Sequence, residues 1–297
     1  MMRSLSAIGA FSLLLALPCF AAEPAPAAEA ATAESPARKA YNEALQSLKW
    51  VHGPVTVDVP GKSKLVVPKD YVFLDQANTT KFLELNQNLT SGNEVMIAPE
   101  GLRWEAFLSF ADEGYVKDDE KIDAPKLLKT LQDGTEQSNE ERKRRGWATL
   151  RIVDWAVPPA YNSSNKRLEW ATVLEAQGER DVNYSTKVLG RRGHTSVIMV
   201  TSVDGLTAAR PELEAVLGGY SFNSGETYAE WVPGDKVATY GLAALVLGGA
   251  AAIATKKGLW AVLGAFILKG WKLLAIGGAA IAAGVRKFFG QKSRDTH

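Results

Sequence analysis

"DVNYSTKVLGRRGHTSVIMVTSV", residues 181–203, sets the fold class. Two strand-like runs, 181–189 and 194–203, flank the tetrapeptide GRRG at 190–193. So short a connection makes the two runs antiparallel neighbours, because a parallel crossover needs a dozen residues or more. Just upstream, "WATLRIVDW" (147–155) and "KRLEWATVLEAQ" (166–177) alternate apolar and polar residues. The turn-rich "AVPPAYNSSN" (156–165) joins them as a second hairpin.

The pattern extends toward the N-terminus. "PVTVDV" (54–59) and "SKLVVP" (63–68) flank Pro60-Gly61, and "NEVMIAP" (93–99) and "RWEAFLSF" (103–110) flank Gly101. Helical signals separate these strands. "YNEALQSLKW" (41–50) has apolar residues at 41, 44, 45 and 48. In "KDDEKIDAPKLLKTLQ" (117–132), Asp123 is the expected cap, Pro125 suits the first turn, and Leu127, Leu128 and Leu131 share a face. "NEERKRRG" (139–146) continues as a polar helix closed by Gly146, and "AARPELEAVLGGY" (208–220) predicts a short helix. The fold class is α+β: a mostly antiparallel sheet flanked by helices over residues 41–233, followed by a C-terminal membrane-embedded helical tail. The body is large enough for one sizeable core, and a split near residue 146 into two subdomains is also allowed.

The net charge of +1 over 297 residues hides a segregation. Residues 23–235 carry 32 acidic and 24 basic side chains, whereas residues 236–297 carry nine basic and one acidic. An acidic body excludes nucleic acid as a partner, since phosphates require a basic face. The N-terminus has Arg3 before an apolar run from Ile8 to Leu17 and small residues at Cys19 and Ala21, which predicts a secretory signal over residues 1–21. Cleavage would remove Cys19, the chain's one cysteine, and with it disulfide, thiol and thiolate-metal chemistry. Residues 22–40, rich in Ala, Pro and Glu, read as a disordered spacer.

Val237–Thr255 is uncharged over 19 residues, bounded by Lys236 and by Lys256 and Lys257. As a helix it would rise about 28 Å, close to the hydrocarbon thickness of a bilayer, so a transmembrane helix is expected. Tyr228, Trp231 and Tyr240 are the expected interface aromatics, and Lys256 and Lys257 the cytoplasmic flank of an inner-membrane protein with a periplasmic body. Ala244, Gly248 and Ala252 could form a small-residue ridge for another helix. A second apolar segment, 258–289, contains Lys269 and Lys272. It could cross at a cost of roughly 2.5–3.5 kcal/mol per lysine. It could instead lie in the inner interface, where Lys257, Lys269, Lys272, Arg286 and Lys287 would share an arc of roughly 120° and reach lipid phosphates.

Candidate contacts for an anionic partner or lipid are Arg142, Lys143, Arg144 and Arg145, Arg191 and Arg192 at the GRRG turn, and Lys269 and Lys272. Of the three histidines, His194 is expected on an exposed hairpin, His52 in a loop, and His297 is terminal. Asp118, Asp119, Glu120 and Asp123 lack the glycine and final glutamate of a calcium loop and read as a solvated helix start. Trp147, Trp155 and Trp170 alternate on strands as core residues do, although they could also line a groove. The carboxylates of Glu169 and Glu175 are too generic to define a glycosidase. No nucleophile-elbow, zinc-protease or phosphate-loop motif occurs, and no cofactor or catalytic residue is implied.

"GYVKDDEKID" (114–123), "WATLRIVDWAVPPAYNSSNKRLEWA" (147–171), "VNYSTKVLGRRG" (182–193) and "GGYSFNSGETYAEWVPGDKVATYGLAALV" (218–246) together resemble the membrane-anchored proteins of Gram-negative bacteria grouped as domain of unknown function 2167. The resemblance implies an exported domain on a C-terminal anchor and carries no activity. The strand order is also similar to the sandwich of the photosystem extrinsic PsbP-like proteins, a likeness of fold alone. These features point to a binding or interaction module of the cell envelope, with membrane lipid and an envelope protein as partners. The alternatives are a lipid or glycan hydrolase or transferase, and a membrane-structuring protein acting through its tail.

Overall fold

The structure, a computed structural model, describes residues 36–248 apart from 87, 89, 145 and 147. The chain begins with α1 (Pro36–Gln46), β1 (Val51–His52), β2 (Val55–Val59), β3 (Ser63–Val67), β4 (Tyr71–Leu74) and α2 (Gln76–Leu85). Then follow β5 (Val95–Pro99), β6 (Glu105–Ala111), α3 (Ala124–Arg144), β7 (Arg151–Asn162), β8 (Arg167–Ala176) and β9 (Glu179–Leu189). The described part ends with β10 (His194–Ser202), α4 (Leu206–Gly218), β11 (Tyr220–Phe222), a 3-10 turn at Tyr228–Glu230 and α5 (Leu242–Val246).

Eight strands form one sheet in the order β1-β4-β5-β6-β10-β9-β8-β7, antiparallel at every pairing, and β11-β3-β2 form a second, three-stranded sheet. The decisive hairpin is β9–β10, in register from His194↔Leu189 to Ser202↔Asp181. The β6–β10 pairing joins the two halves of the chain through the centre of the sheet, so residue 146 divides no subdomains. Strand β7 carries Pro158 and Pro159 and three register irregularities. Both features suit an edge strand, where missing donors cost little and bulges discourage further pairing.

Strand side chains alternate between faces, and each face of the large sheet has its own cover. On one face Val182, Tyr184, Val188, Val197, Met199, Ala106 and Leu108 pack with the small sheet and with Ala209, Leu213, Val216 and Leu217 of α4. The other face carries two separate apolar clusters. One joins β4 and β5 to Phe82 and Leu83 of α2. The other joins Ile152 of β7 and Leu168, Trp170 and Leu174 of β8 to Leu127 and Leu131 of α3 and to α5.

Helix α1 starts at Pro36, inside the stretch expected to be spacer; proline fixes a helical φ at a first turn, and the residues after it are mostly good helix formers. The C-terminal part departs further from expectation. Residues 237–248, expected to open a 19-residue membrane helix, lie against the body. Val237 bridges Tyr115, Ala238 N–H donates to Tyr115 O at 2.9 Å, and α5 is five residues long with Leu242, Leu245 and Val246 buried. The close approach needs Gly114, at φ +101°, because a Cβ there would stand 2.9 Å from the backbone of 236–238. Glu120 accepts from Ala243 N–H at 2.9 Å at the start of α5, and Gly248, at φ +101°, follows its end. Among the described residues no helix is long and apolar enough to cross a membrane. Residues 1–35, with the signal and most of the spacer, and the tail from 249 on lie outside the described residues.

Candidate functional site

The structure separates the two basic clusters. Arg142, Lys143 and Arg144 close α3, where cations oppose the negative end of the helix dipole. Lys143 pairs with Glu140 at 2.9 Å, and Arg142 Nε donates to Ala148 O. A depression of about 300 Å³ lies beside them, lined by Glu136, Asn139, Lys143, Arg151, Glu175 and Gln177 among others. Arg191 and Arg192 lie at the far end of β9, some nine residues or about 30 Å along the strand from the Arg180–Glu175–Arg151 ladder that borders this depression. They do not join the α3 cations in one surface.

Both turn arginines are engaged with carboxylates of the chain itself. Arg191 forks onto Asp235 at 2.6 and 3.0 Å and donates to Gly225 O. Arg192 donates to Glu226 at 2.6 Å and to Asp112 at 3.1 Å, and Lys62 reaches Glu226 at 2.8 Å. These contacts clasp the segment 225–235 onto the β9–β10 turn. The hydrogen bonds from Arg191, and next that from the Val232 N–H, hold the Asp235 carboxyl below its usual range. Arg145, Lys269 and Lys272 lie outside the described residues.

Two of the expected interface aromatics, Tyr228 and Trp231, belong to the same clasped segment, and Tyr240 follows it. Tyr228 is 7% exposed, stacks on Tyr115 with centroids 4.4 Å apart, and donates its hydroxyl proton to Val116 O at 2.9 Å. Trp231 tilts against Tyr115 at 5.2 Å, and Tyr240 packs on the α3 cluster. The four acidic residues before α3 disperse. Asp118 accepts from Tyr161 and Lys166 at 2.7 and 2.9 Å, Glu120 caps α5, and Asp123 accepts from Lys126 N–H at the start of α3. Among the described residues no three of His, Cys, Asp and Glu gather to hold a metal. Trp170 is core and Trp155 donates to Ala124 O; Trp147 and His297 lie outside the described residues. Glu169 and Glu175 share a face of β8 six positions apart, the first bonded to Tyr184 and the second to Arg151 and Arg180. His52 is exposed beside Glu100.

His194 corrects an expectation. It is 4% exposed, not a hairpin-tip residue, because it opens β10 between Leu189 and Ala111. Its neighbour Gly193 lets the strands approach: a Cβ there would stand 1.8 Å from Ala111 O. Burial, and next the Lys187 ammonium, hold the imidazole pKa well below its ordinary value.

His194 belongs to a constellation that sequence reading missed. Between the two apolar clusters the same sheet face carries polar residues on its three central strands, all along β9 and interspersed with Phe107 of β6 and Ile198 and Val200 of β10, which belong to the α2 side. Asp181, Asn183, Ser185 and Lys187 of β9 stand opposite Ser202, Val200, Ile198 and Ser196 of β10. Ser109 and Glu105 of β6 stand opposite Ser196 and Val200. Asp181, Asn183, Ser185 and His194 are buried, while Glu105, Ser109, Lys187 and Ser196 are partly exposed. The six steps of β9 from Asp181 to Lys187 make the stripe about 20 Å long.

The two ends of the stripe differ electrostatically. At one end burial, and next the charge of Asp181, raise the Glu105 carboxyl to about 7, while burial and Glu179 raise Asp181 to about 6. At the other end burial lowers the Lys187 ammonium to about 8 against the opposing attraction of Glu113. Lys187 Nζ lies 2.6 Å from Ser196 Oγ and 5.9 Å from the centroid of Trp170. The His194 Nδ1 is buried without a hydrogen-bond partner among the described residues. Such ionisable groups on an otherwise apolar sheet face are costly, and perturbed groups of this kind concentrate at functional sites. The available signal was the alternation D-x-N-x-S-x-K in β9, which by itself reads as a solvated face.

No curated protein matches the chain. Among solved structures, that of cyanobacterial PsbP (CyanoP) from Synechocystis sp. PCC 6803 is similar over 60% of this chain and 93% of that one, with 7% identity and a TM-score of 0.34. The family described as "Protein of unknown function (DUF2167)" has a sequence model that matches residues 51–279, most of the sheet-bearing body and part of the segment beyond it, and the chain belongs to that family.

Proposed function

We propose that this protein is a ligand-binding module of the cell envelope whose site is the polar stripe on β6, β10 and β9. The observation that carries the reading is the stripe itself: nine polar or ionisable side chains on the central strands, between apolar clusters where continuous core would be more stable. A strip about 20 Å long with carboxyls at one end and a lysine at the other suits an extended ligand rich in hydrogen-bonding groups, such as a peptide or glycan chain. Export by the N-terminal signal and retention at the inner membrane by the apolar residues beyond Gly248 complete the proposal, with the stripe in the periplasm. The basic tail meets lipid headgroups at the cytoplasmic face, and an envelope protein is the expected partner.

The test is a thermal-shift screen of the full-length protein in detergent against short peptides and oligosaccharides. A ligand at 100 times its Kd adds about 2.7 kcal/mol to stability. The reading requires a shift that Asn183→Leu with Ser185→Val abolishes and that Val66→Asn, on the small sheet, leaves intact. A panel without any shift, or a shift indifferent to the stripe variants, rejects it.

A further inference from the structure

The lysine end of the stripe holds a pair with the geometry of a nucleophile and its base. Ser196 and Lys187 are directly opposed in the β9–β10 register, with Oγ and Nζ 2.6 Å apart, and Ser109 stands on the other side of Ser196. Both members are partly exposed, although Ser185 and His194 beside them are buried. The serine keeps partial exposure on that face, while the Lys187 amine beside it is the more deeply enclosed of the two. We infer that Ser196 is an acyl-accepting nucleophile activated by Lys187, and that the stripe binds an ester or amide for acyl transfer. This rests on the stripe being a ligand site.

The chemistry balances without a cofactor. The neutral Lys187 amine takes the Ser196 hydroxyl proton as Oγ bonds to the substrate carbonyl carbon. The resulting ammonium returns that proton to the departing alcohol or amine as its bond to carbon breaks. Water, deprotonated in turn by the amine, then attacks the acyl-serine, releases the acid and restores the hydroxyl. Lysine serves as base in serine sites where its proton is made labile, and here burial among Trp170, Leu168 and the strand backbone has that effect. Glu113 opposes the loss of the proton and His194, held neutral, adds no charge.

The experiment uses full-length protein in native membranes and a fluorophosphonate probe, which phosphonylates activated serines, with the adduct mapped by peptide mass. The expected result is a single adduct on Ser196 whose rate rises several-fold from pH 7 to pH 9, as an amine titrating near 8 loses its proton. Ser196→Ala and Lys187→Arg abolish it; arginine retains a cation and a donor but cannot act as a base. Val66→Asn, on the small sheet, leaves it intact. No adduct on wild-type protein, an undiminished rate in Lys187→Arg, or an adduct on Ser109 instead overturns the inference. Stripe-dependent ligand shifts without any adduct would refute the catalysis and leave the binding reading standing; loss of both refutes the two together.

Discussion

Truncating Leu245 to alanine tests whether residues 237–248 are core of the body or the start of a lipid-immersed helix. Leu245 is fully buried in α5, in the cluster of Leu127, Leu131, Leu168 and Trp170. Removing such a side chain forfeits its transfer free energy and leaves a cavity, together about 2–5 kcal/mol. For a body of this size each kcal/mol moves Tm by about 2–4 °C, so a central loss of about 3 kcal/mol lowers Tm by about 6–12 °C. Leu247, two residues on and partly exposed, is the control, and its truncation costs under about 1.5 kcal/mol. The assay is thermal unfolding of full-length protein in detergent, followed by near-ultraviolet circular dichroism of the body's tryptophans. In a membrane helix both leucines would face lipid or another helix, and neither truncation would reach the body. Equal small shifts for the two variants would refute the core placement of α5.

Asn139 of α3 bonds both the N–H and C=O of Leu150, at 2.9 and 2.7 Å, so Asn139→Ala strands two buried backbone groups; a loss of about 2–4 kcal/mol by urea unfolding is expected, with Asn139→Asp recovering part through the N–H contact. Glu105 has a folded pKa of about 7 against an ordinary 4.5, so the folded state binds its proton more tightly. Its contribution to stability is complete below pH 4.5 and is lost as pH rises through 7; Glu105→Gln flattens this decline and raises Tm at pH 8, and an unchanged pH profile would exclude it as the source. Gly193→Ala places a Cβ 1.8 Å from Ala111 O, a backbone atom that cannot swing aside, and is expected to abolish soluble expression or to lower Tm by more than any other substitution named here.

The local architecture was largely legible. The β9–β10 and β7–β8 hairpins, the Pro60-Gly61 turn, the strands around Gly101 and the single long α3 follow from alternation, turn residues and the Asp123 cap. Helix α2 escaped notice because its capping signal, Asp75, stands directly behind the strand Tyr71–Leu74 and its apolar stripe is weak. The packing of residues 237–248 was illegible for a physical reason. "LAALVL" is equally apolar in core and in lipid, and only the tertiary contacts of Tyr115, Glu120 and Gly114 distinguish the two. The site was illegible for the complementary reason. Lys187 and Ser196 occupy the polar phase of alternating strands, which is unremarkable until β6 pairs with β10 and places them mid-sheet. Arg191 and Arg192 looked like free surface charge because Asp235 and Glu226, their partners, lie more than thirty residues away.

The clasp of Arg191 and Arg192 on residues 225–235 also ties the C-terminal part of the described body to the end of β9. A tension drawn through the tail would act first on α5 and the Tyr115–Val237 bridge, and then on the arginine forks at one end of β9. The same strand carries Lys187. Displacement of residues 225–248 and geometry at the Ser196–Lys187 pair are therefore mechanically in series, with the β9–β10 turn as the element between them.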